Sequence, residues 1–390
     1  MTGSFHLAWR YVSHHRVRTF LLALALGLTL ALPLVLKNFV EISKSELQAR
    51  AKSTPLILGA KGSALDVTLN ALYFRQSSIE RVTMKRLENV QSTGFAQGIP
   101  LYVRYRTEGA PIVGTSLEYF TFRRLQIAEG KNMTRLGDCI LGAKVARRLG
   151  LKPGGSLISS SEQVFDISGV YPLKMRITGV LAETHTADDE AVFVDIKTTW
   201  LIEGIAHGHD EFEDEPEEHV IEKSHENVAL TNAVRLFTEV TEANVDSFHF
   251  HGRSEAFPLS SVLVLPHDAK SQALLLGRYQ GVSDVQLISP SEQMNSLLAV
   301  LFQAQKFALV AFLSLGVLVI LIAALVFALS FKLRRKEFAA LEDLGVSRWT
   351  LISVKTFEIV IVGTFALLIV LLAKWGVETF GSSLVRFGMS

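Results

Sequence analysis

The chain has 390 residues, 39 Lys and Arg against 38 Asp and Glu, and one cysteine, Cys139. A net charge of +1 with no basic stripe interleaved with aromatics excludes a nucleic-acid reader. A lone cysteine excludes an intrachain disulfide, so any soluble domain must be held by its own core.

The apolar residues are gathered into three blocks, 20–36, 307–331 and 357–373. Crossing the hydrocarbon takes about 20 apolar residues at 1.5 Å each. Only Ser314 and Ser330 interrupt the second block. The first contains Gly27 and Pro33 and is extended past Lys37 by Phe39 and Val40. A cleaved signal peptide is the competing reading there. The length of the run and the weak Thr29-x-Ala31 cleavage pattern favour a retained helix. The third block is apolar from Ile359. Lys355 and Glu358 at its start are three apart on one helical face and are expected to pair.

Orientation follows from the placement of Lys and Arg. Arg10, Arg16 and Arg18 precede the first block, and Lys332, Arg334, Arg335, Lys336 and Arg348 lie between the second and third. Both places read as cytoplasmic. Residues 1–40 are then a cytoplasmic surface helix and the first span, and residues 41–305 an extracytoplasmic domain. Residues 306–390 hold the second and third spans, joined by a cytoplasmic helix over 333–346. The expected fold is integral membrane α-helical with three visible spans, plus a large mixed α+β extracytoplasmic domain on a helical stalk. The expected location is the bacterial inner membrane, multi-pass, with the domain in the periplasm.

In chain order, Phe5, Ala8, Trp9 and Val12 fall on one helical face, which predicts a short amphipathic helix flat on the cytoplasmic surface and in contact with lipid. The first helix is expected to continue outward through 41–52. Within the domain, 139–141 reads as a strand and 143–149 as a helix stopped by Gly150. Residues 152–155 are a turn, and Leu173, Met175 and Ile177 alternate as on a half-buried strand. Residues 191–196 and 261–265 are further strands, each followed by a helix, the second capped by Asp268. Ser289-Pro290-Ser291-Glu292 starts a helix that nothing stops before Phe331. At about 60 Å it is twice the hydrocarbon thickness, and with the first helix it predicts a stalk.

One segment departs from this pattern. From Glu203 to Glu226 there are ten acids, one lysine and four histidines: His207, His209, His219 and His225. So acidic a run cannot bury enough apolar surface to fold alone, and it is expected to be a mobile loop. Imidazole with carboxylate suits zinc and its neighbours, so His207, His209, His219 and His225 are candidate zinc ligands, with His249-x-His251 as a second pair. A solvated acidic insertion with incidental histidines is the other reading. The absence of HExxH excludes a zincin site, and there is no GxxxxGK[ST], GxSxG or GxGxxG. The chain is therefore not expected to be an enzyme, nor to carry a cofactor of its own beyond zinc.

The loop from Lys332 to Leu351 reads KLRRKEFAALEDLGVSRWTL. Phe338, Leu341 and Leu344 recur at spacing three, and Gly345 sits where a helix C-cap would. A charged connector is one reading, a docking helix for a cytoplasmic partner the other. RRKEFAALEDLGVSRWTL resembles the loop of permeases of the MacB/FtsX/LolC–LolE superfamily of ABC systems. Arg335, Lys336, Glu337, Leu341, Leu344, Gly345 and Ser347 fall on that pattern, and Glu358 resembles the acid that begins the next helix. The segments LAWRYVSHHRVRTFLLALALGLTLALP, LEYFTFRRLQIAEGKNM and CILGAKVARRLGLKPGGSL are also similar to the family.

The resemblance implies a membrane subunit whose partner, a cytoplasmic ABC ATPase, binds ATP and Mg and pushes on Arg335, Lys336, Glu337, Phe338, Leu341, Leu344 and Gly345. It also implies a second permease copy, as homodimer or heterodimer, and allows a periplasmic partner protein. Relatives have four spans, so a fourth is expected to be lost or truncated here. The alternative is a metal-sensing membrane regulator of an outside enzyme or receptor, without transport.

Overall fold

The computed structural model describes residues 2–160, 172–208, 220–223, 228–230 and 238–389. It divides into two compact units, Met1–Gln48 with Asn295–Gly388, and Ala49–Met294.

The first unit is helical. Its elements are Thr2–His14, most of Arg16–Lys52, most of Pro290–Leu333, Arg335–Asp343 and Arg348–Met389. Among the described residues, three helices are long and apolar enough to cross a membrane: Arg16–Ile42, Pro290–Leu333 and Arg348–Gly381. Pro290 opens its helix as expected, because a first-turn residue needs no N–H partner. That helix runs 44 residues, about 66 Å at 1.5 Å per residue. The first helix does continue to Lys52, with Pro33 inside it.

The N-terminal helix departs from expectation. Ala8 and Val12 are buried against Val354 and Ile361, and Phe5 meets Phe357 edge-on at 5.7 Å. Part of the face read as lipid-facing is thus a helix–helix contact, while Trp9 stays exposed. An amphipathic stripe records only that something apolar covers it.

The second unit is mixed α+β around a sheet with eleven strands among the described residues. Along the sheet the order is Thr238–Glu239, Leu173–Leu181, Asp138–Leu141, Val192–Asp195 and Ala110–Thr115. It continues through Ala96–Thr107, Ser261–Pro266, Leu56–Ala60 and Val285–Ile288. Ile127–Gly130 and Ser156–Ile158 both pair with Leu173–Leu181. The strand Leu56–Ala60 is buried at every position, between two antiparallel neighbours. Gly59 lets the helix Ala64–Tyr73 approach it, since a Cβ there would sit 2.5 Å from Val67 Cγ1.

Local signals translated directly. Leu173, Met175 and Ile177 all point into the core. Gly150 ends the helix Ala143–Leu149 at φ +66°. The Asp268 carboxylate accepts from the Ser271 N–H at 2.6 Å and starts Ala269–Tyr279.

The acidic segment is only partly the expected loop. Ala206–Gly208 is a strand paired with Phe248–Phe250, and Val220–Lys223 pairs with Val228–Leu230. Glu203 belongs to neither strand. It caps the helix Ile196–Ile202 and binds Arg81 and the Tyr102 hydroxyl.

Candidate functional site

The loop between the second and third spans folds as its residues dictate. Arg335–Asp343 is a helix whose end is closed by two backbone bonds, Gly345 N–H to Glu342 C=O at 3.0 Å and Val346 N–H to Leu341 C=O at 3.0 Å. This is the Schellman arrangement, which needs a left-handed residue after the cap. Gly345 supplies it at φ +86°. Two residues on, the Ser347 hydroxyl accepts from the Thr350 N–H at 3.3 Å and starts Arg348–Met389. Leu-Gly-x-Ser is thus one helix stop followed by one helix start. Arg348 Nε donates to Glu342 across the turn at 2.6 Å.

One arginine locks this helix to its surroundings. Arg334 donates to Glu358 at 2.5 Å and to Glu337 at 3.1 Å. Its guanidinium lies 3.6 Å from the Tyr11 ring centroid and 4.8 Å from that of Phe338. The Tyr11 hydroxyl meets Ser330 at 3.1 Å, and Arg18 donates to Ser330 at 2.7 Å. Three helices and the loop therefore converge on Arg334. The expected Lys355–Glu358 pair is replaced: Lys355 lies over the Phe338 ring at 4.7 Å and the Phe331 ring at 5.6 Å. Arg334 reaches the buried Glu358 carboxylate with Nη1 while its Nε serves Glu337, so one guanidinium bridges two carboxylates.

The predicted docking residues separate into two sets. Phe338 is only 7% exposed and packs under Arg334 and Lys355. Leu341 is half-buried. Leu344 is 80% exposed, as is Trp349 at 79%, a residue that spacing did not single out. Arg335, Lys336 and Glu337 are exposed on the same short helix. The loop thus presents apolar side chains beside two cations.

A second charged cluster lies within the α+β unit. Arg50, in the last turn of Arg16–Lys52, donates to both oxygens of Asp188 at 2.6 and 2.9 Å and to the Tyr119 hydroxyl at 2.8 Å. Tyr119 donates to Asp188 at 2.7 Å and the Thr186 hydroxyl does so at 2.9 Å. Burial alone would raise the Asp188 carboxyl, but Arg50 outweighs it and holds it down at about 2. Arg123 ties Ser53 and Thr54 to the same region at 3.0 and 2.8 Å. Nothing in the sequence pairs positions 50, 119 and 188, so only the tertiary structure reveals this clamp.

Of the four candidate zinc ligands, His207 stands opposite His249 in strand register. His209, His219 and His225 lie outside the described residues. The rings of His249, in the strand Phe248–Phe250, and of His251, just past its end, are 4.6 Å apart.

The family model described as MacB-like periplasmic core domain matches residues 19–236, more than half of the chain. The chain belongs to the MacB-like family. It is accordingly a membrane subunit of an ABC-type system, with three apolar helices and an extracytoplasmic domain. No curated protein matches it. Among solved structures it is similar to the periplasmic region of MacB from Actinobacillus actinomycetemcomitans, at 12% identity and a TM-score of 0.35, covering 63% of this chain and 92% of that one. It is also similar to the extracellular domain of the noncanonic ABC-type transporter YknZ from Gram-positive bacteria, at 15% identity and a TM-score of 0.32, covering 60% and 98%.

Proposed function

We propose that this MacB-like subunit transmits motion from a separate cytoplasmic ATPase to its extracytoplasmic domain, as part of a bacterial inner-membrane system. The reading rests on one observation above others: a short helix, locked by Arg334 to Glu358, and the turn after it present exposed Leu344 and Trp349 beside Arg335 and Lys336. The ATPase would bind ATP and Mg and displace that helix. The membrane helices, stiff over tens of ångströms, would carry the displacement, and the Arg50–Asp188 clamp would receive it where Arg16–Lys52 ends. Two ATPase subunits call for two permease copies. Zinc capture by residues 203–226 is proposed on composition alone, and a metal-sensing regulator without transport is the competing reading.

Co-purification distinguishes the two. A tagged chain isolated in mild detergent should bring down a P-loop ATPase. Leu344→Asp places a charge at an exposed interface position and should lower recovery about tenfold or more. Leu341→Asp should act in the same direction, whereas chain yield should stay unchanged with Leu344→Asp. Purification without any ATPase, from cells expressing the neighbouring genes, would favour the regulator.

A further inference from the structure

The segment Glu183-Thr-His185-Thr-Ala-Asp188-Asp189 follows the strand Leu173–Leu181 and enters the short turn Ala187–Glu190. Its charges do two separate things. Asp188 turns to Arg50, while the neighbouring Asp189 turns to Glu183 and His185. One ligand atom from each of Glu183, His185 and Asp189 lies within 4.8 Å of the others.

Two facts set this trio apart from an ordinary surface cluster. Asp189 is 0% exposed, and one of its oxygens accepts from the Thr184 N–H at 2.9 Å and the Thr184 hydroxyl at 3.0 Å. The other oxygen is buried and has no hydrogen-bond partner among the described residues. A buried acceptor left bare is costly, and such groups call for a partner that the protein itself does not supply. His185 and Glu183 are the accessible members and can move to complete a site; His185 Nδ1 is 3.6 Å from Glu183 Oε1. Arg147 already donates to the other Glu183 oxygen at 2.7 Å, as an outer partner that orients a ligating carboxylate.

We propose that Glu183, His185 and Asp189 bind one divalent transition-metal ion, with water completing the shell. Ligand bonds of about 2.0–2.2 Å require neighbouring donors to draw somewhat closer than 4.8 Å, which the exposed His185 and Glu183 side chains permit. One imidazole with two carboxylates selects zinc and its neighbours over calcium and magnesium, which prefer all-oxygen shells. The site is independent of the histidine-rich segment and of the ATPase reading. Its turn also carries Asp188, so an occupied site would stiffen the residue that holds Arg50.

The test uses the full chain in detergent, stripped with a chelator, with His207, His209, His219, His225, His249 and His251 all changed to Ala. Zinc chloride is titrated by calorimetry, and cobalt(II) binding is followed by its visible absorption. One saturable zinc site should remain in this background, and adding His185→Ala should weaken it at least about tenfold, since loss of outer partners alone costs that much. Asp189→Asn should do the same. His185 is exposed, so metal-free His185→Ala should keep its unfolding temperature, and zinc should raise that temperature only when His185 is present. Absence of zinc binding in the six-alanine background overturns the proposal, as does binding that His185→Ala leaves unchanged.

Discussion

Replacing Arg50 by alanine is expected to destabilise the α+β unit by about 3 kcal/mol. The side chains of Arg50 and Asp188 are 7% and 2% exposed, so neither charge can turn to water when its partner is lost. Breaking a buried ion pair from one side costs about 3–5 kcal/mol. Tyr119 and Thr186 still donate to the stranded carboxylate, which places the estimate at the lower end. For a unit of this size each kcal/mol moves the midpoint by about 2–4 °C, so a loss of about 6–12 °C should appear in thermal unfolding of the full chain. Arg50→Leu combined with Asp188→Leu removes both charges and should recover most of the loss, because apolar replacement of a buried pair is often neutral. A midpoint for Arg50→Ala within about 2 °C of the parent would refute the reasoning, since a shift that small is under 1 kcal/mol. So would a double variant no more stable than the single one.

Gly345→Val should cost about 1–2 kcal/mol through the left-handed backbone alone, since no described residue lies within 4 Å of its Cβ position; a lower unfolding midpoint with chain yield intact would show it. Phe338→Ala should destabilise the helical unit by about 3 kcal/mol, where Leu344→Asp leaves its midpoint unchanged, because only Phe338 is buried. Topology is open to impermeant thiol labelling of intact cells in a Cys139→Ala background. A cysteine at position 215 should react and one at 340 should not, and labelling at 340 would reverse the orientation.

Much of this was legible in the sequence, because the features concerned are local. The three spans follow from runs of apolar residues that need no partner to be recognised, and the loop turn from Gly345 and Ser347, each acting on backbone groups a few residues away. The caps at Asp268 and Gly150 are of the same kind. Tertiary structure alone decided which face meets what. Phe338 and Leu344 belong to one stripe in sequence, yet one is buried over Arg334 and the other is bare. Glu358 has Lys355 three residues away but binds Arg334 at the start of the loop helix. Arg50 and Asp188 are 138 residues apart, and Asp189 keeps a bare oxygen among the described residues only because the fold buries it away from water. Helix periodicity and capping act over one turn of chain, whereas desolvation and charge pairing depend on which distant segments fill the same space.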